Sequence, residues 1–218
     1  MARTLLGVVF ATLAGFSTAQ AETLRVTALG DSLTQGYGLL AEQGLVPQLQ
    51  AWLEARGHDV AILNAGVSGD TTAGGLSRLN WTLADEPDAM IVALGGNDLL
   101  RGIDPALSRA NLAGILARLQ ADGIPALLVG LPAPGNYGPE FQAEFEAMYP
   151  ELAASFDALL VTDMLAPLGE QIEQGVSPLQ VFQGDMIHPN PEGVGLVVEG
   201  MGPQVEALLD RARGQQGS

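Results

Sequence analysis

Short apolar runs alternate with longer amphipathic segments along most of the chain, and this alternation constrains the fold more than any other feature. The apolar runs are rich in Val, Ile and Leu and are bounded by Gly, Asp or Pro, which is typical of buried strands. The predicted strands are Leu24–Leu29, Val60–Leu63, Ala89–Leu94, Ala126–Val129 and Ala158–Val161. The predicted helices are about Val46–Ala55, Thr71–Asn80, Pro105–Ala121, Gly138–Ser155 and a last helix from near Pro191 to about Leu209. This succession predicts an α/β fold, with a parallel sheet between two layers of helices.

The first 21 residues have the composition of a cleavable export signal. Arg3 supplies a positive charge, residues 5–16 are apolar, and Ala19-Gln20-Ala21 is a small-residue cleavage site. The apolar stretch is too short for a membrane-spanning helix. We therefore expect cleavage after Ala21 and export to the periplasm or the extracellular space. The remaining length fits a single domain over residues 22–210, followed by a flexible tail over residues 211–218.

Charge and composition exclude several classes of function. The formal net charge of −16 argues against nucleic acid or an anionic membrane surface as a partner. The chain has no cysteine, which removes disulfides and thiolate catalysis, and all nine basic residues are arginine, which removes lysine-based chemistry. The two histidines are 130 residues apart and have no metal-ligand spacing. A catalytic zinc is not expected, although a calcium site built from oxygen ligands alone stays open.

Four polar segments carry the residues that could do chemistry. They are "GDSLTQG" at 30–36, "NAGVSGDTTAGG" at 64–75, "LGGNDLLRG" at 94–102 and "GDMIHPN" at 184–190. In an open parallel sheet, ligands bind beyond the carboxyl ends of the strands. We expect the four segments to meet at that edge.

His188 is the candidate catalytic base. Asp185 precedes it by three residues, so a single turn could bring the carboxylate to one ring nitrogen and leave the other nitrogen free to accept a proton. A D-x-x-H pattern taken alone fits a purely structural turn equally well. His58 follows a predicted helix, where a histidine usually interacts with the helix dipole.

Ser32 is the candidate nucleophile, because it follows the first strand and His188 could act as its base. Ser68 is the main rival. The residues around Ser32 do not form the G-x-S-x-G elbow. Gly69 and Asn97 could donate hydrogen bonds to an oxyanion, although each taken alone also fits an ordinary turn or helix cap. Together these residues supply a nucleophile, a base, an orienting acid and oxyanion donors.

These four segments, in this order, resemble the SGNH (GDSL) hydrolase superfamily, and more closely its bacterial periplasmic thioesterase I, lysophospholipase and arylesterase group. The resemblance covers essentially the whole chain after residue 21. It implies a flavodoxin-like sheet with strand order 2-1-3-4-5 and no cofactor. It also implies Ser32 as nucleophile, His188 as base and Asp185 as the orienting acid. The oxyanion hole would be formed by the backbone N–H groups of Ser32 and Gly69 and the side-chain amide of Asn97.

The same resemblance implies a serine ester hydrolase of the arylesterase, acyl thioesterase or lysophospholipase type, which acts on small aryl or acyl esters and on thioesters. We also expect a monomer with no stable membrane insertion. A carbohydrate O-deacetylase is the alternative enzyme, and a catalytically silent binding module is the alternative of another class. The residues expected on the substrate side are Asp31, Leu99, Asn136, Tyr137 and Ile187. The chain departs from the group's pattern at Leu99, where near relatives often have glycine, and at Gln35, where they usually have a small residue. The segment Leu168 to Phe182 also looks longer than in compact members.

Overall fold

A parallel sheet of five strands forms the middle layer of the fold. The computed structural model describes residues 23–216, so the expected signal over residues 1–21 lies outside the described part of the chain. The strands are β1 (Leu24–Gly30), β2 (Val60–Gly66), β3 (Ala89–Ala93), β4 (Ala126–Val129) and β5 (Leu159–Val161). Neighbouring strands are parallel and lie in the order β2-β1-β3-β4-β5. The predicted α/β fold and strand order are confirmed.

Helices connect the strands and cover the sheet. They are α1 (Ser32–Gln35), α2 (Leu45–Glu54), α3 (Thr72–Ser77), α4 (Leu79–Thr82), α5 (Gly96–Leu100), α6 (Pro105–Ala121), α7 (Pro139–Ser155), α8 (Ala166–Glu173) and α9 (Pro191–Gln216). Short 3₁₀ turns occupy Ala41–Gln43, Leu83–Asp85, Gly135–Tyr137 and Pro178–Gln180. None of the helices within residues 23–216 has both the length and the apolar composition needed to cross a bilayer.

The central strands β1, β3 and β4 are buried on both faces of the sheet. Val26 and Ile91 pack on one side with α2, α8 and α9, and Leu29 and Met90 pack on the other side with α6 and α7. Successive side chains of a strand point to opposite faces, so a strand that is covered on both sides needs apolar residues throughout. The near-continuous apolar runs in the sequence follow from this double burial.

Local signals placed helix α6 well but predicted one helix where the structure has two. Helix α6 has the predicted bounds because Pro105 occupies its first turn and the side chain of Asp104 caps it, accepting a hydrogen bond from the backbone N–H of Ala106 at 2.9 Å. The predicted helix over Thr71–Asn80 is instead two short helices, α3 and α4, with Arg78 between them.

The prediction of a flexible tail from Arg211 is wrong for the described residues, because α9 continues to Gln216 rather than ending near Leu209. Ala212 is buried in the core, and the side chain of Arg211 donates a hydrogen bond to the backbone oxygen of Asp157. The Nη1 atom of Arg213 lies 3.4 Å from the Nδ1 atom of His58. These tertiary contacts hold a segment whose composition resembles a linker.

Candidate active site

The register of the sheet brings three of the four polar segments to one edge. Gly30 at the end of β1 is paired with Gly66 of β2 on one side and with Ala93 of β3 on the other. The chain segments that carry Ser32, Gly69 and Asn97 therefore leave the sheet side by side. A Cβ atom at Gly30 would clash with the side chain of Thr34 in α1 and would lie 2.9 Å from the backbone oxygen of Ala93, so the close packing of α1 against the end of β1 requires glycine there.

Ser32 is the first residue of the short helix α1. Asp31 caps this helix, and its Oδ1 atom accepts a hydrogen bond from the backbone N–H of Leu33 at 3.0 Å. The cap turns the chain sharply away from the strand, and the Ser32 hydroxyl is left half-buried at the edge of the sheet. The backbone N–H of Ser32 belongs to the first turn of a helix, where N–H groups have no partner within the helix.

His188 connects Ser32 with Asp185. Its Nε2 atom lies 2.9 Å from the Ser32 hydroxyl oxygen, and its Nδ1 atom lies 2.6 Å from Oδ2 of Asp185. The other oxygen of Asp185 accepts hydrogen bonds from the backbone N–H groups of Ile187 and His188, each at 3.0 Å. The intervening Met186 has a positive φ of 60°, which closes this turn. The structure thus brings together the three residues that the sequence analysis singled out.

Hydrogen bonding tunes the carboxylate of this cluster. The bond from the His188 side chain, followed by the two backbone N–H groups, lowers the pKa of Asp185 to about 2. Asp185 therefore stays ionised at neutral pH and can accept a hydrogen bond from the Nδ1–H group of His188. With that proton on Nδ1, the lone pair of Nε2 faces the Ser32 hydroxyl. The ring of Tyr37 packs on the imidazole, with 4.8 Å between the ring centroids.

Gly69 and Asn97 occupy the loops beside Ser32. Gly69 has a φ of 83°, a left-handed conformation that favours glycine and turns the loop between β2 and α3. Asn97 is in the first turn of α5, and its amide nitrogen lies 3.4 Å from Oδ2 of Asp31. The rival serine, Ser68, is exposed, and the hydrogen bond between His188 and a serine goes to Ser32.

Asp31 is buried under this site. Its side chain is only 2% exposed, and burial raises its pKa to about 6. The Leu33 N–H group, the charge of His188 and the Asn97 amide each oppose that rise in part. The carboxyl group lies beneath Ser32, where it caps α1 and contacts the amide of Asn97.

An apolar cavity of about 110 Å³ lies beside Ser32 and His188. Its apolar wall is formed by Leu99, Leu100, Leu131, Pro132, Leu165 and Ile187. Of the residues expected on the substrate side, Asp31, Leu99 and Ile187 line this cavity. A larger cavity of about 480 Å³ lies at the opposite edge of the sheet, between α6 and the end of α9. We place the site at the smaller cavity because it contains the polar strand-end residues.

Two residues expected on the substrate side do not line this cavity. The side chain of Tyr137 contacts two helices, since its hydroxyl donates to the backbone oxygen of Leu100 in α5 at 3.2 Å and its ring packs on Phe141 of α7. Asn136, in the same 3₁₀ turn, is exposed. His58 is also separate from the site, because its Nε2 atom pairs with Glu206 of α9 at 2.9 Å.

Several residues around the site carried no signal in the sequence. Leu131 and Leu165 line the cavity from the loops after β4 and β5, which no local pattern places next to Ser32. Arg78 lies between two helices and donates hydrogen bonds to Asp70 at 2.6 Å and to the backbone oxygen of Gly30 at 3.0 Å. It thereby ties the loop that carries Gly69 to the end of β1. A half-buried arginine of this kind is recognisable only from its partners.

No group of three or more His, Cys, Asp and Glu side chains within residues 23–216 is arranged to hold a metal ion. The hydrogen-bonded cluster of Ser32, His188 and Asp185 has the parts of a nucleophilic hydrolase, namely a hydroxyl, an imidazole and an ionised carboxylate.

Comparison with known proteins agrees with this geometry. The model of the GDSL-like lipase/acylhydrolase family matches residues 28–196. Esterase TesA of Pseudomonas aeruginosa is 39% identical over 194 residues, which are 88% of this chain and 92% of that protein. Thioesterase 1/protease 1/lysophospholipase L1 of Escherichia coli K12 is 34% identical over 202 residues, 92% of this chain and 91% of that protein. The crystal structure of AlinE4, an SGNH-hydrolase family esterase, aligns with a TM-score of 0.69 and 42% identity, and covers 88% of this chain and 99% of that chain.

Proposed function

The chain belongs to the GDSL-like lipase/acylhydrolase family and is a carboxylic ester hydrolase, and from this premise we propose that it works through an acyl-enzyme formed on Ser32. One observation carries the proposal. The Ser32 hydroxyl, both ring nitrogens of His188 and the Asp185 carboxylate form a continuous hydrogen-bonded chain, with separations of 2.9 and 2.6 Å. A pure binding site has no need of this arrangement.

In the acylation step, the Ser32 oxygen attacks the carbonyl carbon of the substrate while its proton passes to Nε2 of His188. The imidazolium that forms is stabilised by Asp185, which remains a carboxylate because its pKa is held at about 2. The alcohol or thiol then leaves and takes the proton from Nε2. Water repeats the sequence on the acyl-enzyme, with His188 again as the base, and releases the acid.

The negative charge that develops on the carbonyl oxygen needs hydrogen-bond donors. We assign this role to the backbone N–H groups of Ser32 and Gly69 and to the side-chain amide of Asn97. These groups lie in the segments that follow the carboxyl ends of β1, β2 and β3, which are neighbours in the sheet. Donors fixed in place before the reaction stabilise the transition state without reorganisation, and each contributes about 10²–10³ in kcat.

The substrate we propose is a small acyl ester or thioester with an apolar acyl group. The leucine-rich wall of the cavity beside Ser32 supports this class of substrate. An apolar wall stabilises a hydrocarbon chain, whereas it offers no hydrogen-bond partner to a sugar hydroxyl. A carbohydrate O-deacetylase on the same fold would not use this wall.

Hydrolysis of p-nitrophenyl esters from acetate to palmitate by residues 22–218 tests the proposal. Ser32→Ala should remove the activity, whereas Ser68→Ala, which changes an exposed serine 36 residues further along the chain, should retain it. Equal hydrolysis by wild type and Ser32→Ala would disprove the serine mechanism. Activity that drops steeply beyond acetate would favour the deacetylase instead.

We also propose that the protein is exported and cleaved after Ala21. The positive residue, apolar stretch and Ala19-Gln20-Ala21 site support this location. Expression of the full chain in a bacterial host, followed by fractionation and N-terminal sequencing, tests it. An N-terminus at Glu22 in the periplasmic or extracellular fraction is expected, and an uncleaved cytoplasmic product would contradict it.

A further inference from the structure

A buried carboxylate joins the helix that carries Asn97 to the loop that carries Gly69. Asp98 follows Asn97 in α5, and its side chain is 1% exposed. Its Oδ2 atom accepts a hydrogen bond from the backbone N–H of Thr72 at 2.8 Å, and its Oδ1 atom accepts one from the Thr72 hydroxyl at 2.6 Å. Thr72 begins α3, three residues after Gly69. The Asp98 side chain of α5 thus holds the segment that carries Gly69 by two hydrogen bonds, both to Thr72.

Further hydrogen bonds complete this buried cluster. The Ser108 hydroxyl of α6 donates to Oδ1 of Asp98 at 2.9 Å, and the amide of Asn111 donates to the Thr72 hydroxyl at 3.0 Å. Burying a carboxylate costs free energy, and a buried charged group often contributes less to stability than apolar residues of the same shape would. Fold stability alone therefore gives a weak reason for an ionisable side chain at this position.

A second contact links the same two segments from the other side. Arg101, just after α5, donates from Nη2 to the backbone oxygen of Gly69 at 2.8 Å. The loop around Gly69 is thus held to α5 at Gly69 itself and again at Thr72. Asn97 lies within the same short helix as Asp98 and next to these anchors, so the separation of Asn97 from Gly69 depends on these two contacts.

We propose that Asp98 is a positioning residue, which sets the distance between the Asn97 amide and the Gly69 N–H so that both donors reach the same oxyanion. The proposal rests on the function given above, in which these two groups are oxyanion donors. Donors of this kind act at about 2.7–3.1 Å from the oxyanion. A misplacement of about 1 Å can cost about 10² in rate.

The cluster provides its own matched control. Thr72 and Ser108 are both buried and both donate a hydroxyl hydrogen bond to the same oxygen of Asp98. Thr72 belongs to the segment that carries Gly69, whereas Ser108 belongs to α6, which carries none of the proposed catalytic groups. Removing either hydroxyl takes one donor from Asp98, but only the loss at Thr72 loosens the link between the two oxyanion donors.

The test compares Thr72→Val, Thr72→Ser and Ser108→Ala by kcat, KM, thermal midpoint and the inhibition constant of a boronic acid, which forms a tetrahedral adduct with a catalytic serine. Thr72→Val should lower kcat about 10- to 100-fold, with KM within about 2-fold, and should weaken the boronic acid in proportion. Thr72→Ser keeps the hydroxyl and should restore kcat. Ser108→Ala should lower the thermal midpoint and leave kcat within about 2-fold.

Two results would overturn the proposal: unchanged kcat in Thr72→Val, or equal losses of kcat in Thr72→Val and Ser108→Ala. If Thr72→Val does not fold, Asp98→Asn replaces it with the same expectation and the same refutation, because it keeps the side-chain shape and removes the charge. Ser32→Ala, assayed in parallel, separates a failure of the serine mechanism from a failure of the positioning role. Full activity in that variant would refute the catalytic mechanism, whereas its inactivity together with an unchanged Thr72→Val would refute only the positioning role.

Discussion

Neutralising the buried carboxyl group of Asp31 should stabilise the fold at alkaline pH. Burial raises the pKa of this group from 3.8 to about 6, so its ionised form is disfavoured in the folded protein. The substitution Asp31→Asn keeps the shape and an acceptor for the Leu33 N–H group while it removes the charge. It also places the new NH₂ group against the side-chain NH₂ group of Asn97, so the Asn97 side chain loses its hydrogen-bond acceptor.

The size of the effect follows from the pKa change. A rise from 3.8 to about 6 corresponds to about 3 kcal/mol, at about 1.4 kcal/mol per unit. The lost contact with Asn97 offsets about 1 kcal/mol of this. Because folding raises this pKa, the folded state binds the proton more tightly, and the contribution of Asp31 to the free energy of unfolding falls as pH rises from about 4 to about 6. The variant should therefore exceed wild type by about 1–3 kcal/mol at pH 8 and should lie within about 1 kcal/mol of wild type at pH 4.

Urea unfolding of wild type and Asp31→Asn at pH 4 and pH 8 measures this difference. With a slope of about 2 kcal/mol per molar urea, the midpoint at pH 8 should rise by about 0.5–1.5 M. Asp104→Asn is the matched control, because Asp104 also caps a helix and accepts from the N–H two residues ahead, but is exposed. It should give no such gain. An equal or lower midpoint for Asp31→Asn at pH 8, or a difference independent of pH, would refute the reasoning.

The other predictions concern the catalytic base and the acyl cavity. His188→Ala should lower kcat on p-nitrophenyl butyrate by about 10³ or more, because the base acts together with the nucleophile. His58→Ala should lower the thermal midpoint by a few degrees and leave kcat within about 2-fold, since this histidine pairs with Glu206 away from the site. A loss of kcat in His58→Ala as large as that in His188→Ala would contradict the assignment of His188 as the base. Leu99→Ala should enlarge the cavity and shift kcat/KM toward longer acyl chains across the ester series. Leu107→Ala, at an exposed leucine of α6, should leave the chain-length profile unchanged, and the same profile in both variants would show that the cavity does not hold the acyl group.

The strands and the long helices could be predicted from the sequence because their signals are local. Helix α6 follows from Asp104, Pro105 and the helical spacing of its leucines, and the central strands follow from apolar runs that both faces of the sheet require. Short elements escaped this reasoning. Helix α5 spans five residues and α8 spans eight, too few turns for a clear period, and β2 extends to Gly66 only because β1 pairs with it.

The polar segments were also recognisable in the sequence, and Asp185 and His188 could be paired because they lie within one turn. Their meeting with Ser32, 156 residues away from His188, depends on the crossovers of the sheet. The burial of Asp31 likewise depends on the tertiary structure. Its raised pKa comes from burial beneath loops that are distant in sequence, and no local pattern reports it.

The sequence by itself thus determined the α/β class and the residues that could act as nucleophile, base and acid, since short-range spacing and composition encode these properties, and the resemblance of its four polar segments indicated the family. Only the tertiary structure decided the leucine wall of the cavity, the contacts of Tyr137, the length of α9 and the link from Asp98 to Thr72. Each of these depends on contacts between segments that are distant in the sequence, such as those of Tyr137 with Leu100 and of Arg211 with Asp157. Such contacts form only when the sheet and its helices pack together, and no single segment encodes them.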